Sequence, residues 1–217
     1  MNNALSVVAH HDDHVLWMGG SILRMRSLGW NWTLLAMCVP DKEKQRYFSE
    51  FCAAFGVTCS FLKFEDYQGG HPFCRNSREQ MKTELMSICS GTMFDFVFTH
   101  SRHEHREYGH HANHAEVEQV VTELVHDESI GRGTNHLAYF CYRWNGVGGT
   151  PTTASQEATH YLQPNYEELI RKAEWCKRVP DIGSLRNLAF PCPSPEAFEG
   201  DNLTLPFGNG IEGFKRR

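Results

Sequence analysis

A dense group of ionisable side chains follows the first apolar run of this chain. Residues 4–8 read Ala-Leu-Ser-Val-Val, and residues 10–14 read His-His-Asp-Asp-His, so three imidazoles and two carboxylates occupy five consecutive positions. Such side chains are rarely buried without partners, and adjacent ones compete for protons unless a positive group holds them together. A divalent metal ion would meet that requirement. The stretch therefore predicts a metal site directly after a buried strand.

Apolar runs alternate with helical patterns through much of the chain. Strands are predicted at 4–9, 31–39, 57–64, 94–99 and 136–143, and the nearly all-apolar run at 4–9 is typical of a strand buried on both faces. Helices are predicted between Asp13 and Gly29 and at 42–55, 77–90, 112–126 and 166–178. This alternation predicts an α/β fold in which a Rossmann-like, largely parallel sheet is flanked by helices. We expect a single domain over 1–217, with loops at 65–73 and 145–159 and an irregular C-terminal wrap over 180–217.

Two histidine-rich stretches follow predicted strands. Nine of the thirteen histidines fall at 10–14 and 100–114, after the first and fourth strands. Because such sheets bind ligands beyond the carboxyl ends of their strands, we expect both stretches at one edge. His10, Asp13 and a histidine of the second stretch would give the three-ligand set typical of a catalytic zinc, which activates water and polarises carbonyl groups. Asp12 is then the natural general base, whereas His100, His103 and His105 are expected to be loop residues.

The motifs resemble those of a known enzyme family. AHHDDH at 9–14 with Gly-Gly at 19–20 resembles the AHPDDE…GG signature of the LmbE-like, or GlcNAc-phosphatidylinositol de-N-acetylase (PIG-L), zinc deacetylases. FVFTH at 96–100 followed by EYGHHANH at 107–114 is similar to the strand and GH-x-x-H element of that family. RYFSEFCAAFGV at 46–57 resembles its Arg…Glu…Ala-Ala helix, and Glu-Ala-Phe at 196–198 its C-terminal motif. The resemblance covers most of residues 4–126.

The resemblance implies a role for each matching residue. His10, Asp13 and His114 would bind Zn²⁺, Asp12 would be the general base, and His111 would stabilise the oxyanion. An extra residue after Gly109 leaves open whether His110 or His111 is the catalytic histidine, and His/Asp sites also accept iron, cobalt or nickel. The implied reaction is removal of an acetyl group from an N-acetylated amino sugar or sugar conjugate. The alternatives are an amidase for larger acyl groups or non-sugar amides, and a metal-holding binding protein without catalysis.

The chain departs from the family signature at two positions, where His11 replaces Pro and His14 replaces Glu. The sequence leaves open whether these imidazoles contact substrate or a second metal, or lie behind the site. The usual Ser-Gln after the late helix is also absent, which alters the C-terminal part of any substrate pocket. The candidates for substrate contact are His11, His14, Arg46, Asp66, Arg102, Tyr108 and His110.

Composition excludes several other classes of protein. The net charge is −5 and no basic stripe is present, which argues against a nucleic-acid partner. No apolar run approaches the length of a membrane span, and the N-terminus lacks the pattern of a signal peptide. The eight cysteines are scattered without a CxxC pair, as expected for reduced thiols of a cytoplasmic protein. The expected partner is a small N-acetylated sugar, and assembly into a homo-oligomer is compatible with the sequence.

Overall fold

The computed structural model describes residues 2–66, 78–101, 112–131, 136–143, 153–154, 160–162, 164–180, 196–199 and 214–216. Its strands are β1 (Asn3–Val8), β2 (Asn31–Ala36), β3 (Thr58–Phe61), β4 (Phe96–Thr99), β5 (Leu137–Phe140), β6 (Tyr142–Arg143), β7 (Thr153–Ala154), β8 (His160–Leu162), β9 (Glu196–Glu199) and β10 (Phe214–Arg216). Its helices are α1 (Asp13–Ser27), α2 (Lys42–Phe55), α3 (Arg78–Cys89), α4 (Ala112–His126) and α5 (Tyr166–Cys176). No helix of this described part is long and apolar enough to cross a bilayer.

The main sheet has the strand order β10-β8-β9-β5-β4-β1-β2-β3. Its five strands β5, β4, β1, β2 and β3 pair in parallel, so the predicted α/β fold with a largely parallel sheet is confirmed. The first strand is central, and the direction of chain progression reverses between β1 and β4. In doubly wound sheets this switch point is where the crevice for a ligand opens.

The central strand is buried on both faces, as its nearly continuous apolar sequence predicts. Ala4 and Val8 face a core formed with α1, α2 and α5, whereas Leu5 and Val7 face a second core formed with α3 and α4. Because side chains alternate along a strand, one short run supplies apolar groups to both layers. Helices therefore cover both faces, and the carboxyl edge is left to the polar residues that follow the strands.

The second helix begins and ends where the sequence predicts. The Asp41 carboxylate accepts hydrogen bonds from the backbone N–H groups of Glu43 and Lys44, which satisfies two free donors of the first turn. At the other end Gly56 has a φ of 66°, a left-handed conformation that a residue without Cβ adopts readily. The predicted range 42–55 is confirmed at both ends because local signals mark both boundaries.

The first helix is kinked at Met18, whose φ of −144° and ψ of 19° are not helical. A second helical segment begins there, and its backbone N–H groups at Gly20 and Ser21 donate to the Glu196 carboxylate at 2.8 and 2.6 Å. A Cβ on Gly20 would overlap Pro164, with 2.8 Å to the Pro164 Cβ. The glycine pair is therefore explained by the close approach of side chains from the later part of the chain.

The expectation of an irregular wrap over 180–217 was wrong for two segments. β9 lies between β5 and β8 and is antiparallel to both, and β10 pairs antiparallel with β8. The reason is tertiary: Phe198 is buried against Phe98 and Phe140, and Glu196 is buried against α1. The predicted strand 136–143 is also two strands, and residues 153–154 of the predicted loop pair with the second of them.

Candidate metal centre and active site

The candidate site lies at the carboxyl edge of the sheet, at the switch point between β1 and β4. These strands pair in parallel and end at Val8 and Thr99, so the residues that follow them are brought side by side. His10 follows β1, His100 follows β4, and His114 lies in the first turn of α4. The predicted meeting of the two histidine-rich stretches therefore takes place between their described residues.

His10, Asp13 and His114 each offer one ligand atom, and these atoms lie within 4.8 Å of one another. His10 Nδ1 is 3.2 Å from His114 Nε2, and the Asp13 carboxylate oxygens lie 3.4 Å from His10 Nδ1 and 3.5 Å from His114 Nε2. Two imidazoles and one carboxylate match the donor set of a hydrolytic zinc site. The structure thus brings together the three residues predicted as ligands.

Asp13 is buried and held from several sides. Its carboxylate accepts hydrogen bonds from the His10 backbone N–H at 2.7 Å and from Trp17 Nε1 at 3.2 Å. Burial by itself would raise the pKa of Asp13, but the imidazoles of His114, His100 and His10 outweigh burial and hold that pKa well below its ordinary value. Asp13 therefore carries a negative charge near neutral pH.

The pKa of His10 is shifted upward, opposite to the shift of the Asp13 pKa. Burial by itself would lower its pKa, but the hydrogen bonds and negative charges of Asp13 and Asp66 raise it to about 10. The negative charges of Asp13 and Asp66 thus favour a positive charge next to them. A proton on His10 supplies that charge when no cation is bound. A divalent cation would satisfy the same demand and displace the proton, so the donor set fits a metal ion both in type and in charge.

Asp12, the predicted base, occupies the position before the first residue of α1 but makes no capping hydrogen bond with its side chain. The side chain is 18% exposed, in contrast to the neighbouring Asp13 at 4%, and its Oδ1 lies 3.8 Å from His11 Nδ1. A carboxylate that is partly open and adjacent to the ligands is suited to exchange a proton with a reacting molecule. Its role as general base stays a prediction.

His11 and His14, which replace Pro and Glu of the family signature, are buried, and burial favours the neutral form of both imidazoles. His11 packs edge-on against Tyr47 at 5.7 Å, and burial holds its pKa below the ordinary value. His14 is fully buried, lies 3.2 Å from the Ser6 carbonyl oxygen, stacks on Phe48 at 5.5 Å, and has a pKa lowered by burial to about 4. A substrate contact of His14 would require the packing between β1 and α2 to open.

The remaining candidates for substrate contact are placed differently or lie outside the described residues. Arg46 is exposed on α2, with its Nε 3.9 Å from the Glu50 carboxylate. Asp66 lies beside the site, with its Oδ1 2.9 Å from His10 Nε2. The predicted catalytic His111 and the candidates Arg102, Tyr108 and His110 lie outside the described residues, and their roles stay predictions.

Sequence reasoning missed two residues of the site. His100, expected to be a loop residue, is fully buried, accepts a hydrogen bond from the Ala9 N–H at 2.8 Å and stacks on His114 with ring centroids 3.9 Å apart. Its position directly after a buried strand was the available signal. Asn113 is fully buried and donates from Nδ2 to Asp66. For Asn113 the sequence holds no signal beyond its place next to His114.

The sequence of this chain matches a known enzyme family. The sequence pattern of the GlcNAc-PI de-N-acetylase (PIG-L) family matches residues 5–125, which is more than half of the chain. The chain belongs to this family. No curated protein sequence matches the chain.

Several solved structures share the fold. N,N'-diacetylchitobiose deacetylase from Pyrococcus horikoshii is 17% identical, with a TM-score of 0.63 over 97% of this chain and 89% of that one. The zinc-inhibited form of teicoplanin deacetylase Orf2 is 13% identical, with a TM-score of 0.56 over 82% and 84%. GalB, a 4-carboxy-2-hydroxymuconate hydratase from Pseudomonas putida, is 15% identical, with a TM-score of 0.58 over 98% and 100%. Because both deacetylases and a hydratase have this fold, the fold alone does not identify the reaction.

Proposed function

We propose that this protein is a zinc-dependent hydrolase that removes the acetyl group from an N-acetylated amino sugar or sugar conjugate. The observation that carries the proposal is the convergence of His10, Asp13 and His114, with the partly exposed Asp12 beside them, in a chain of the PIG-L family. The similarity to deacetylases of diacetylchitobiose and teicoplanin supports a sugar conjugate as the substrate class.

The metal would be held by His10, Asp13 and His114, with iron, cobalt or nickel as alternatives to zinc. When bound, zinc supplies a Lewis acid that polarises the acetyl carbonyl and makes a water molecule acidic enough to react near neutral pH. The chain supplies the rest of the chemistry. Trp17 and the His10 backbone N–H fix the Asp13 carboxylate, so that this ligand is already oriented before a cation arrives.

Asp12 acts as the general base in this proposal. Its carboxylate takes a proton from the water that attacks the acetyl carbon, and His111 or its neighbour His110 donates a hydrogen bond to the carbonyl oxygen as negative charge develops there. Asp12 or His111 then delivers a proton to the amide nitrogen while the carbon–nitrogen bond breaks. One water is consumed, and acetate and a free amine leave.

The test measures acetate released from N-acetylglucosamine conjugates by the full chain before and after chelation, and again after zinc is restored. We expect chelation to abolish turnover and zinc to restore it. Asp12→Asn should lower kcat by about 10²- to 10⁴-fold while the zinc content stays the same. Asp127→Asn changes an exposed carboxylate after α4 and should leave turnover unchanged. Turnover that survives complete metal removal would refute the proposal.

A substrate panel separates the alternatives. Faster release of longer acyl groups, or of acyl groups from non-sugar amides, would make the protein an amidase of wider scope. Hydration of an unsaturated tricarboxylate, with no amide cleaved, would indicate the kind of reaction named for GalB. Bound zinc without turnover on the whole panel would indicate a metal-holding protein, although such a protein has no need of Asp12. A cytoplasmic location and a homo-oligomeric state stay predictions.

A further inference from the structure

The His10 imidazole has two edges with different surroundings. Its Nδ1 faces Asp13 and His114 at 3.4 and 3.2 Å, whereas its Nε2 lies 2.9 Å from Oδ1 of Asp66. A carboxylate only accepts hydrogen bonds, so Nε2 is the nitrogen that donates. In the neutral ring Nδ1 is then the nitrogen without a proton, and it is the nitrogen that faces the other two ligands.

Asp66 is itself held by a buried side chain. Asn113 is fully buried and donates from Nδ2 to the same Asp66 oxygen that contacts His10. Asn113 immediately precedes His114 in α4, so one carboxylate oxygen connects the segment after β1 to the first turn of that helix. The two ligand histidines are thus linked through Asp66 as well as by their mutual approach.

The contact between His10 and Asp66 is of the kind that orients a metal ligand. Histidines that bind metals usually donate their other ring N–H to a carboxylate or carbonyl, which fixes the tautomer and the ring orientation and makes the ligand more basic. The Asp66 side chain is 46% exposed, so solvent screens its charge and the direct hydrogen bond carries most of its influence.

We propose that Asp66 is a positioning residue for the ligand His10, and that Asn113 holds Asp66 in place. This inference rests on the proposed function, because it takes His10 as a ligand of a bound cation. It gives Asp66 a role other than the substrate contact for which the sequence made it a candidate. The residue acts through His10, whose Nδ1 it keeps turned towards Asp13 and His114.

The experiment measures metal binding directly in the full chain. The metal-free wild type and the variants Asp66→Ala, Asp66→Asn and Asn113→Ala compete with a chromophoric chelator for zinc, and their Co²⁺ forms are compared by visible spectroscopy. We expect Asp66→Ala to weaken zinc binding by about 10- to 100-fold and to change the Co²⁺ spectrum. Asp66→Asn, which keeps a neutral acceptor, should recover part of the affinity, and Asn113→Ala should lose less than Asp66→Ala. Glu65→Ala, which changes an exposed carboxylate one residue away, is the matched control and should bind as the wild type does.

Kinetics at saturating zinc separate positioning from substrate contact. If Asp66 positions His10, excess zinc restores much of the kcat of Asp66→Ala and KM stays close to that of the wild type. Wild-type zinc affinity combined with a raised KM would overturn the inference and leave the proposed function intact. A wild-type chain that binds no zinc would overturn the proposed function as well. If Asp66→Ala does not fold, Asp66→Asn preserves the size of the side chain and supplies the same comparison.

Discussion

The buried ion pair between Lys172 and Glu196 offers the sharpest test of how the fold is held together. Both side chains are fully buried and their charged atoms lie 2.5 Å apart. The Glu196 carboxylate also accepts from the N–H groups of Gly20 and Ser21 and from the Ser21 hydroxyl. Lys172→Met keeps the aliphatic stem that packs on Gly19 but leaves the carboxylate without its countercharge.

The expected loss is large because the carboxylate stays buried. Breaking a buried ion pair by removing one partner destabilises a protein by about 3–5 kcal/mol, a substantial part of the ~5–15 kcal/mol that holds a typical domain folded. Glu196→Gln should be similarly harmful. Whichever way its amide turns, an NH₂ group faces N–H donors of α1, and the buried Lys172 ammonium loses the negative charge that lies 2.5 Å from it. The double variant removes both charges, so its loss should be smaller than the sum of the two single losses.

The measurement is urea unfolding followed by circular dichroism. The wild type, the two single variants and the double variant are compared at one pH. Arg46→Met is the control, because it breaks an exposed pair with Glu50 and should change the free energy of unfolding by less than about 1 kcal/mol. A Lys172→Met chain as stable as the control, or single losses that simply add, would refute the view that the pair is energetically coupled in the interior.

Three further predictions follow from the pKa shifts and the glycine contacts. In the metal-free protein the pKa of His10 is raised to about 10, so below that pH zinc must displace its proton, and the logarithm of apparent zinc affinity should rise by about one per pH unit for each proton displaced. The folded-state pKa of His14 is lowered from 6.5 to about 4, so its contribution to stability is complete above pH 6.5 and is lost as the pH falls towards 4. At about 1.4 kcal/mol per unit this amounts to about 3 kcal/mol, and His14→Gln should remove that part of the pH dependence in urea unfolding. Gly20→Ala should lower Tm although Ala favours helices by about 1 kcal/mol, because its Cβ would overlap Pro164. Gly19→Ala would bring a Cβ to 3.1 Å from the Lys172 Cγ, a less severe contact, and should be milder.

Each of these predictions has a clear contrary result. Calorimetry in buffers of different ionisation enthalpy detects the protons released by zinc, and binding without release would contradict the role of His10. An unchanged pH slope in His14→Gln would show that other groups cause the acid sensitivity. If Gly20→Ala were the more stable of the two glycine variants, helix propensity rather than the contact with Pro164 would decide the choice of residue.

The sequence identifies the parts of the fold that depend on local patterns. The five parallel strands and the second helix were predictable because apolar periodicity and the end signals Asp41 and Gly56 lie within each segment. β9 and β10 were not, because Glu-Ala-Phe-Glu and Phe-Lys-Arg hold too few apolar residues to form a strand pattern. Their pairing depends on neighbours distant in the chain.

In the candidate site too, local motifs identify some residues, whereas the contacts of others depend on distant parts of the chain. The motifs point to His10, Asp13 and His114, and the structure brings these residues together. The contacts of Asp66 and His100 depend instead on how the segments after β3 and β4 meet the end of β1, and no local pattern encodes that meeting. Sequence reasoning named Asp66 as a candidate for substrate contact, whereas its hydrogen bond to His10 could be found only in the structure.

The kink in α1 has a consequence for how the chain matures during synthesis. The segment of α1 after the kink donates from Gly20 to a carboxylate 176 positions later, and that carboxylate leaves the ribosome after every described residue of the candidate site. A nascent chain that ends at residue 180 would contain His10, Asp13 and His114, yet its first helix would lack the acceptor for two N–H groups. Contacts across so long a separation form slowly. We therefore expect α1 to reach its final shape only once β9 has been synthesised.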